Sequence, residues 1–278
     1  MNVLKVSCIQ SLPKEGDFDK WFMGSEIDHA CNLAREAAQN GPHIIVFHEL
    51  YPLVGEEELC SLAKDLKIHI IAGQAERKNN TKWYNTSAVF SPEGRIVARQ
   101  RKCFPTQAEL DMGVVPGNDY DLITLNIDRV GQIKIGIVIC SDFAFFAKGI
   151  TELVSKGVDL IFNPSLWFAI AEAYPSTVIE RHLEYGVPVI GIDTAKYSFN
   201  KDYPPAGGYS TVCIPPSCEN LEELDAWFKR DPKQINSMKG FVHTLGEEEG
   251  RIDIEIDIEK TRKFPGYFYI QDNPRKIK

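Results

Sequence analysis

Residues 132–146, QIKIGIVICSDFAFF, decide the reading of this chain. Isoleucines recur at Ile133, Ile135, Ile137 and Ile139, a period-two pattern of β-branched residues that predicts a buried strand. The strand runs into Cys140 and then Ser141-Asp142, after which an aromatic run resumes a helix-like pattern. A cysteine where a core strand breaks is held rigidly with its sulfur at the sheet's edge, where α/β proteins keep reactive groups. For a lone cysteine, a buried structural thiol is the commoner explanation. The rest of the chain has to choose between the two.

Outward from this strand, α/β alternation is legible on both sides. Residues 3–10 read as a strand, 11–19 as a polar loop, and 25–39 as a helix stopped by Asn40-Gly41-Pro42. Residues 43–47, HIIVF, are too short and apolar for anything but a buried strand, and they end in His48-Glu49. A helix over 56–66, a strand over 68–73 and a hairpin around Ser91-Pro92-Glu93-Gly94 follow. The second hairpin strand delivers Arg99-Gln100-Arg101-Lys102. Past Cys140 come a helix over 150–156, a strand over 158–162 ending in Asn163-Pro164-Ser165, a helix over 176–185, a strand over 187–192 and a second hairpin from Gly208.

GPHIIVFHELY from Gly41 and GVDLIFNPSLW from Gly157 share a glycine, an apolar triplet and Leu-aromatic at the same offsets, which predicts two similar halves. Neither half buries both sheet faces alone, so one packed domain over 1–278 is expected. Residues 215–241 read as an insertion or lid, and 264–278 as an aromatic, then basic tail. RIDIEIDIEK at 251–260 alternates isoleucine with acid, so its acids form a solvated face.

The net charge of −8 argues against nucleic acid and anionic membrane as partners. No apolar run reaches the roughly 20 residues of a membrane helix, and the first residues lack a signal peptide's apolar region. Seven cysteines scattered without CxxC spacing suit a reducing cytoplasm. The histidines offer no ligand cluster, so neither metal nor cofactor is expected.

Glu49, Lys102 and Cys140 each follow the end of a strand. Singly they read as a solvated loop glutamate, a base in a surface patch and a core thiol. Strand ends on one edge of a layer converge, however, and the three together make a coherent chemistry. A carboxylate raised by burial takes the thiol proton, and an ammonium favours thiolate and then an oxyanion. Backbone N–H groups of the turn after Cys140 are further oxyanion donors.

FHEL with Glu49, RQRKCFP with Lys102 and GIVICSDFAF with Cys140 resemble the motifs of the nitrilase superfamily, the carbon-nitrogen hydrolases, in their order. Asn85-Thr86-Ser87-Ala88, Asn163-Pro164-Ser165, Ile179-Glu180-Arg181 and GGYSTV from Gly207 extend the resemblance over nearly the whole chain. It implies a four-layer αββα sandwich, usually dimerised into a homo-oligomer, and a Glu-Lys-Cys triad acting on a small amide-type or carbamoyl substrate. It also implies a second glutamate after the lysine, for which Glu109 is the match. Two positions depart from the family pattern: His48 stands where proline is usual, and Ala144 where arginine is usual. Ser141 changes the pocket wall, and Phe143, Phe145, Trp167 and Phe168 are candidates for an acyl pocket. The rival readings are a scaffold that has lost turnover, a Cys140–His182 hydrolase and acyl transfer to an acceptor other than water.

Overall fold

The computed structural model describes residues 3–168, 171–198, 205–214 and 242–263. The first half runs β1 (Val3–Gln10), α1 (Phe18–Phe22), α2 (Ile27–Ala38), β2 (Ile44–Phe47), β3 (Pro52–Leu53), α3 (Glu56–Leu66), β4 (His69–Arg77), β5 (Trp83–Phe90) and β6 (Ile96–Arg101). A short helix α4 (Gln107–Asp111) leads into β7 (Ile123–Ile127), β8 (Gly131–Ile137), α5 (Ser141–Phe145), α6 (Lys148–Ser155) and β9 (Leu160–Pro164). The remainder is α7 (Tyr174–Tyr185), β10 (Val189–Ile192), β11 (Thr211–Cys213), β12 (Val242–Thr244), β13 (Gly250–Asp257) and α8 (Ile258–Lys263).

The strands form two sheets. One is ordered β13-β1-β2-β4-β5-β6, with β3 pairing β4, and the other β12-β11-β10-β9-β8-β7. Written from the other end, the second order repeats the first, strand for strand, so the repeat read in the sequence is a repeat of topology. The β2 and β9 segments it matched occupy equivalent central places, each parallel to its neighbours.

Alternation within the strands makes the layers. Leu4, Val6, Ile44, Val46, Ile71 and Val89 of the first sheet face Ile133, Ile135, Ile137 and Ile190 of the second in one cluster. Their sequence neighbours Ile45, Phe47, Ile70, Ala72 and Phe90 point the other way, onto Ala30, Ala34 and Ala37 of α2 and Leu59 and Leu62 of α3. Ile150 and Leu153 of α6 and Val178 of α7 cover the second sheet. Because a strand's side chains alternate with period two, strands buried on both faces read as continuous apolar runs. The result is the helix–sheet–sheet–helix sandwich expected.

Several boundaries move. The strand expected at 158–162 occupies Leu160–Pro164, so Asn163 is inside it. Strand β13 ends at Asp257 and α8 takes over from Ile258. In β13, Ile252, Ile254 and Ile256 are buried while Asp253 and Glu255 pair with Arg251 and Lys5. Helices α1 and α4 and strand β7 were not anticipated. The second hairpin closes as β11 against β12, which bracket residues 215–241 in sequence. That stretch and 264–278, read as a lid and a tail, lie outside the described residues.

Candidate active site

The site is assembled where strands end. After β2 the chain turns sharply: Leu50 has φ 58° and Pro52-Leu53 returns to pair with Gly73-Gln74 of β4. A Cβ on Gly73 would collide with the backbone of Leu50 and Tyr51, so only glycine lets this loop lie against β4. The turn leaves Glu49 2% exposed. His48, fully buried, ties the loop down. Its Nδ1 lies 2.8 Å from the Glu49 carbonyl oxygen, so that nitrogen carries the proton and Nε2, 2.8 Å from Ser11 Oγ, accepts the hydroxyl. Burial pushes its pKa down to about 3, keeping the ring neutral.

Lys102, 2% exposed, follows β6. Its ammonium donates to Glu49 Oε1 at 2.8 Å and to both Glu109 oxygens at 3.0 and 2.8 Å. Asn85 of β5 bridges the same carboxylates, its Nδ2 donating at 2.7 Å to each. Glu109 is placed by a capping box: it accepts from the Thr106 N–H at 2.7 Å while Thr106 caps α4. The two carboxyls diverge. Burial raises Glu49 above the usual carboxylate range against the pull of Lys102. Burial works on Glu109 in the same sense, but Lys102 and its hydrogen bonds outweigh it and hold Glu109 below that range.

Cys140 sits between β8 and α5 at φ 43° and ψ −108°, a conformation that non-glycine residues rarely adopt and that costs of order 1–3 kcal/mol. The Leu166 backbone serves both partners: its N–H donates to Glu49 Oε2 at 2.8 Å, and its carbonyl accepts from Cys140 Sγ at 3.8 Å. Burial, then the Glu49 charge, push the thiol well above its ordinary pKa, with Lys102 opposing. Glu49, Lys102, Cys140 and Glu109 all line one cavity of about 610 Å³.

The other expected contacts fall elsewhere. Phe143 is wholly buried in the core, because α5 turns it away from the cavity. Ser141 lines a neighbouring cavity, and its hydroxyl donates to the Phe104 carbonyl at 3.0 Å. Trp167 stacks on Phe145 and is not among the residues lining the cavity, whereas Phe168 is. The His182 ring meets the Val187 carbonyl at 2.6 Å and does not line the cavity either. Near Ala144, where arginine was expected, the guanidinium of Arg181 arrives from α7 and donates to the Ala144 carbonyl at 3.4 Å.

Sequence reasoning assigned no site role to Asn85 or Asp142. The TQAE capping-box pattern at 106–109 was a readable sign that Glu109 is fixed in place. Nothing local flags Asp142, whose partners are far away in sequence. Its carboxylate accepts from the N–H groups of Cys103 and Phe104 at 2.7 and 2.8 Å and from the Tyr120 hydroxyl at 3.0 Å. It thereby joins the segment after Lys102 to the helix after Cys140. Asp142→Ala leaves three donors without acceptors, two of them buried, so a loss of about 3 kcal/mol is expected in urea unfolding. Asp142→Asn, which keeps an acceptor, should recover part of it.

A family model described as carbon-nitrogen hydrolase matches residues 19–197. The chain belongs to the carbon-nitrogen hydrolase family. Among the chain's curated relatives, the omega-amidase NIT2 of Xenopus tropicalis is 26% identical over 159 residues, covering 50% of this chain and 56% of that protein. Hydrolase C26A3.11 of Schizosaccharomyces pombe is 28% identical over 217 residues, covering 62% and 65%. The chain thus spans about half the length of the omega-amidase relatives it matches. A solved structure of the amidase from Nesterenkonia sp. AN1 in complex with acrylamide, a double mutant, superposes with a TM-score of 0.71 at 14% identity over 92% of each chain. Another structure of that amidase, showing covalent addition of the acetamide moiety of fluoroacetamide at its active site cysteine, gives 0.69 at 15% identity over 97% of this chain and 93% of that one. At such identities the likeness carries the fold.

Proposed function

We propose that this carbon-nitrogen hydrolase cleaves a non-peptide amide-type bond through a thioester on Cys140, with Glu49 as the proton carrier and Lys102 as the electrostatic partner. The observation that carries the reading is the pair of carboxyls on one ammonium, one raised and one lowered, beside a thiol in a strained turn. Environments that push two titratable groups apart assign their roles: Glu49 exchanges the proton, and Glu109 stays ionised and holds Lys102.

Glu49 takes the Cys140 proton as sulfur attacks the carbonyl carbon, and the C=O electron pair moves to oxygen. Lys102 has three N–H donors, which meet Glu49 and both Glu109 oxygens; releasing the longer Glu109 contact, at 3.0 Å, frees one for the oxyanion, together with the Ser141 N–H, which has no backbone acceptor among the described residues. Collapse breaks the C–N bond, Glu49 returns its proton to the departing nitrogen, and ammonia or an amine leaves. Water, deprotonated by Glu49, then attacks the thioester, with Glu109 assisting through Lys102. The carboxylic acid leaves and sulfur regains its proton.

A scaffold reading fits less well, since a buried cluster of charges is costly to hold and a binding protein gains nothing from it. The proposal includes one domain over 1–278, a homodimer or higher homo-oligomer, and a reducing cytoplasmic setting. Free thiols at all described cysteines support the last, and no helix among the described residues is long and apolar enough to cross a membrane.

The test is intact-protein mass, with ammonia release in parallel, after exposure to small carboxamides, carbamoyl amino acids and nitriles. An acyl adduct and ammonia are expected from the native protein and from neither readout in Cys140→Ala. Ammonia at the native rate from Cys140→Ala would sink the proposal.

A further inference from the structure

The cavity over Cys140 has walls of one kind. Phe18, Leu50, Trp83, Met112, Leu166 and Phe168 make most of its surface away from the reacting groups. Its charged lining among the described residues is one ammonium, Lys102, against three carboxyls, Asp17, Glu49 and Glu109. The side-chain donors are already engaged. Trp83 Nε1 donates to the Met112 carbonyl at 3.1 Å, and Thr106 Oγ1 donates to Glu109 Oε2 at 2.9 Å. Lys102 holds two carboxylates, and in the proposed reaction the N–H released from Glu109 goes to the oxyanion. No described side-chain donor in the cavity is therefore left to receive a carboxylate on the far end of a substrate, and carboxyls outnumber cations in the described lining.

We infer that this hydrolase takes amides of neutral, apolar acyl groups, and excludes amides whose acyl chain ends in a carboxylate. The inference rests on the amidase reading and narrows it. About 610 Å³ lies well within the range of cavities that hold whole small molecules, and far exceeds the need of a bare amide group. A growing alkyl or aryl acyl chain replaces water against the Phe18, Trp83, Met112 and Phe168 side chains. Each added methylene should then raise kcat/KM roughly fourfold until the cavity is full. A terminal carboxylate must lose its water beside Glu109 and Asp17 with no side-chain donor among the described residues in exchange, which costs far more than a methylene returns.

The test compares kcat/KM, by ammonia release, for straight-chain primary carboxamides of increasing length with isosteric amides whose terminal methyl is a carboxylate. The expected result is a rise with length in the first series and values about a hundredfold lower, or less, in the second. A Met112→Lys variant, which sets a cation on the rim, should raise the carboxylate series at least tenfold. Carboxylate-ended amides that match or outrun their alkyl counterparts in the native protein would overturn this inference and leave the amidase reading standing. If neither series yields Cys140-dependent ammonia at any length, the amidase reading itself fails and this inference with it.

Discussion

Glu49→Gln is expected to lower kcat/KM for every amide by about 1,000-fold or more, while leaving the thiol present and more easily ionised. The carboxylate has two opposed effects on Cys140. As a base it accepts the thiol proton; as a neighbouring negative charge it raises the thiol's pKa, second only to burial. Glutamine removes both. Turnover should fall because no group of suitable basicity replaces Glu49: Glu109, held below the carboxylate range by Lys102, is too weak a base. Alkylation of Cys140 by iodoacetamide should shift to lower pH, since burial and Lys102 remain while the repelling charge is gone. Steady-state rates and a pH series of alkylation by intact mass measure the two effects. Turnover within tenfold of native, or an alkylation midpoint moved to higher pH, contradicts the assignment of Glu49.

Lys102→Ala should damage fold and activity together. Glu49 and Glu109 are 2% and 13% exposed at the side chain and share this ammonium. Without it they lie buried side by side with Asn85 alone between them. Breaking a buried ion pair by removing one partner costs about 3–5 kcal/mol, and turnover should fall below detection as the oxyanion loses its cation. The loss should depend on pH in a definite direction. Lys102 lowers both carboxyls, so in its absence both rise above the unfolded value of about 4.3. A carboxyl raised in the folded state favours folding below its unfolded pKa, and that advantage is lost as pH rises through the folded one. The deficit should therefore be smallest near pH 4 and grow toward neutrality. Urea midpoints from pH 4 to 7 check this, and Lys102→Ala/Glu109→Gln should recover part of the stability at pH 7.

The succession of strands and helices was legible because it depends on local pattern, whereas the four-layer sandwich was implied by the resemblance to the carbon-nitrogen hydrolases. HIIVF in β2 and the matched GVDLIF in β9 are apolar on both faces, as strands between two layers are, whereas the isoleucines of β8 alternate with Gln132, Lys134 and Gly136. Glu49 and Cys140 were legible because each stands just after a strand of the buried core, whereas Lys102 follows β6, a half-exposed hairpin strand antiparallel to β5, and was legible through the motif it stands in. Of the short elements missed, α4 carried a capping box and β7 alternated Ile123, Leu125 and Ile127, so both had local signals, whereas α1 depends on the burial of Trp21.

Substrate contacts were the weakest part of the reading. Phe143 and Trp167 have the right residue types, but a five-residue helix after Cys140 turns Phe143 into the core, and Trp167 packs on Phe145 and Tyr174. What the chain alone determined is the succession of strands and helices, the strand ends and the three groups set on them, since period-two and period-3.6 patterns act over neighbouring residues. What only the tertiary structure decided is how those groups are held: Asn85 between two carboxyls, Asp142 across to Cys103 and Phe104, the Leu166 backbone between Glu49 and Cys140. These bonds join residues far apart in the chain, and a hydrogen bond is set by distance and direction in space, which no local pattern encodes.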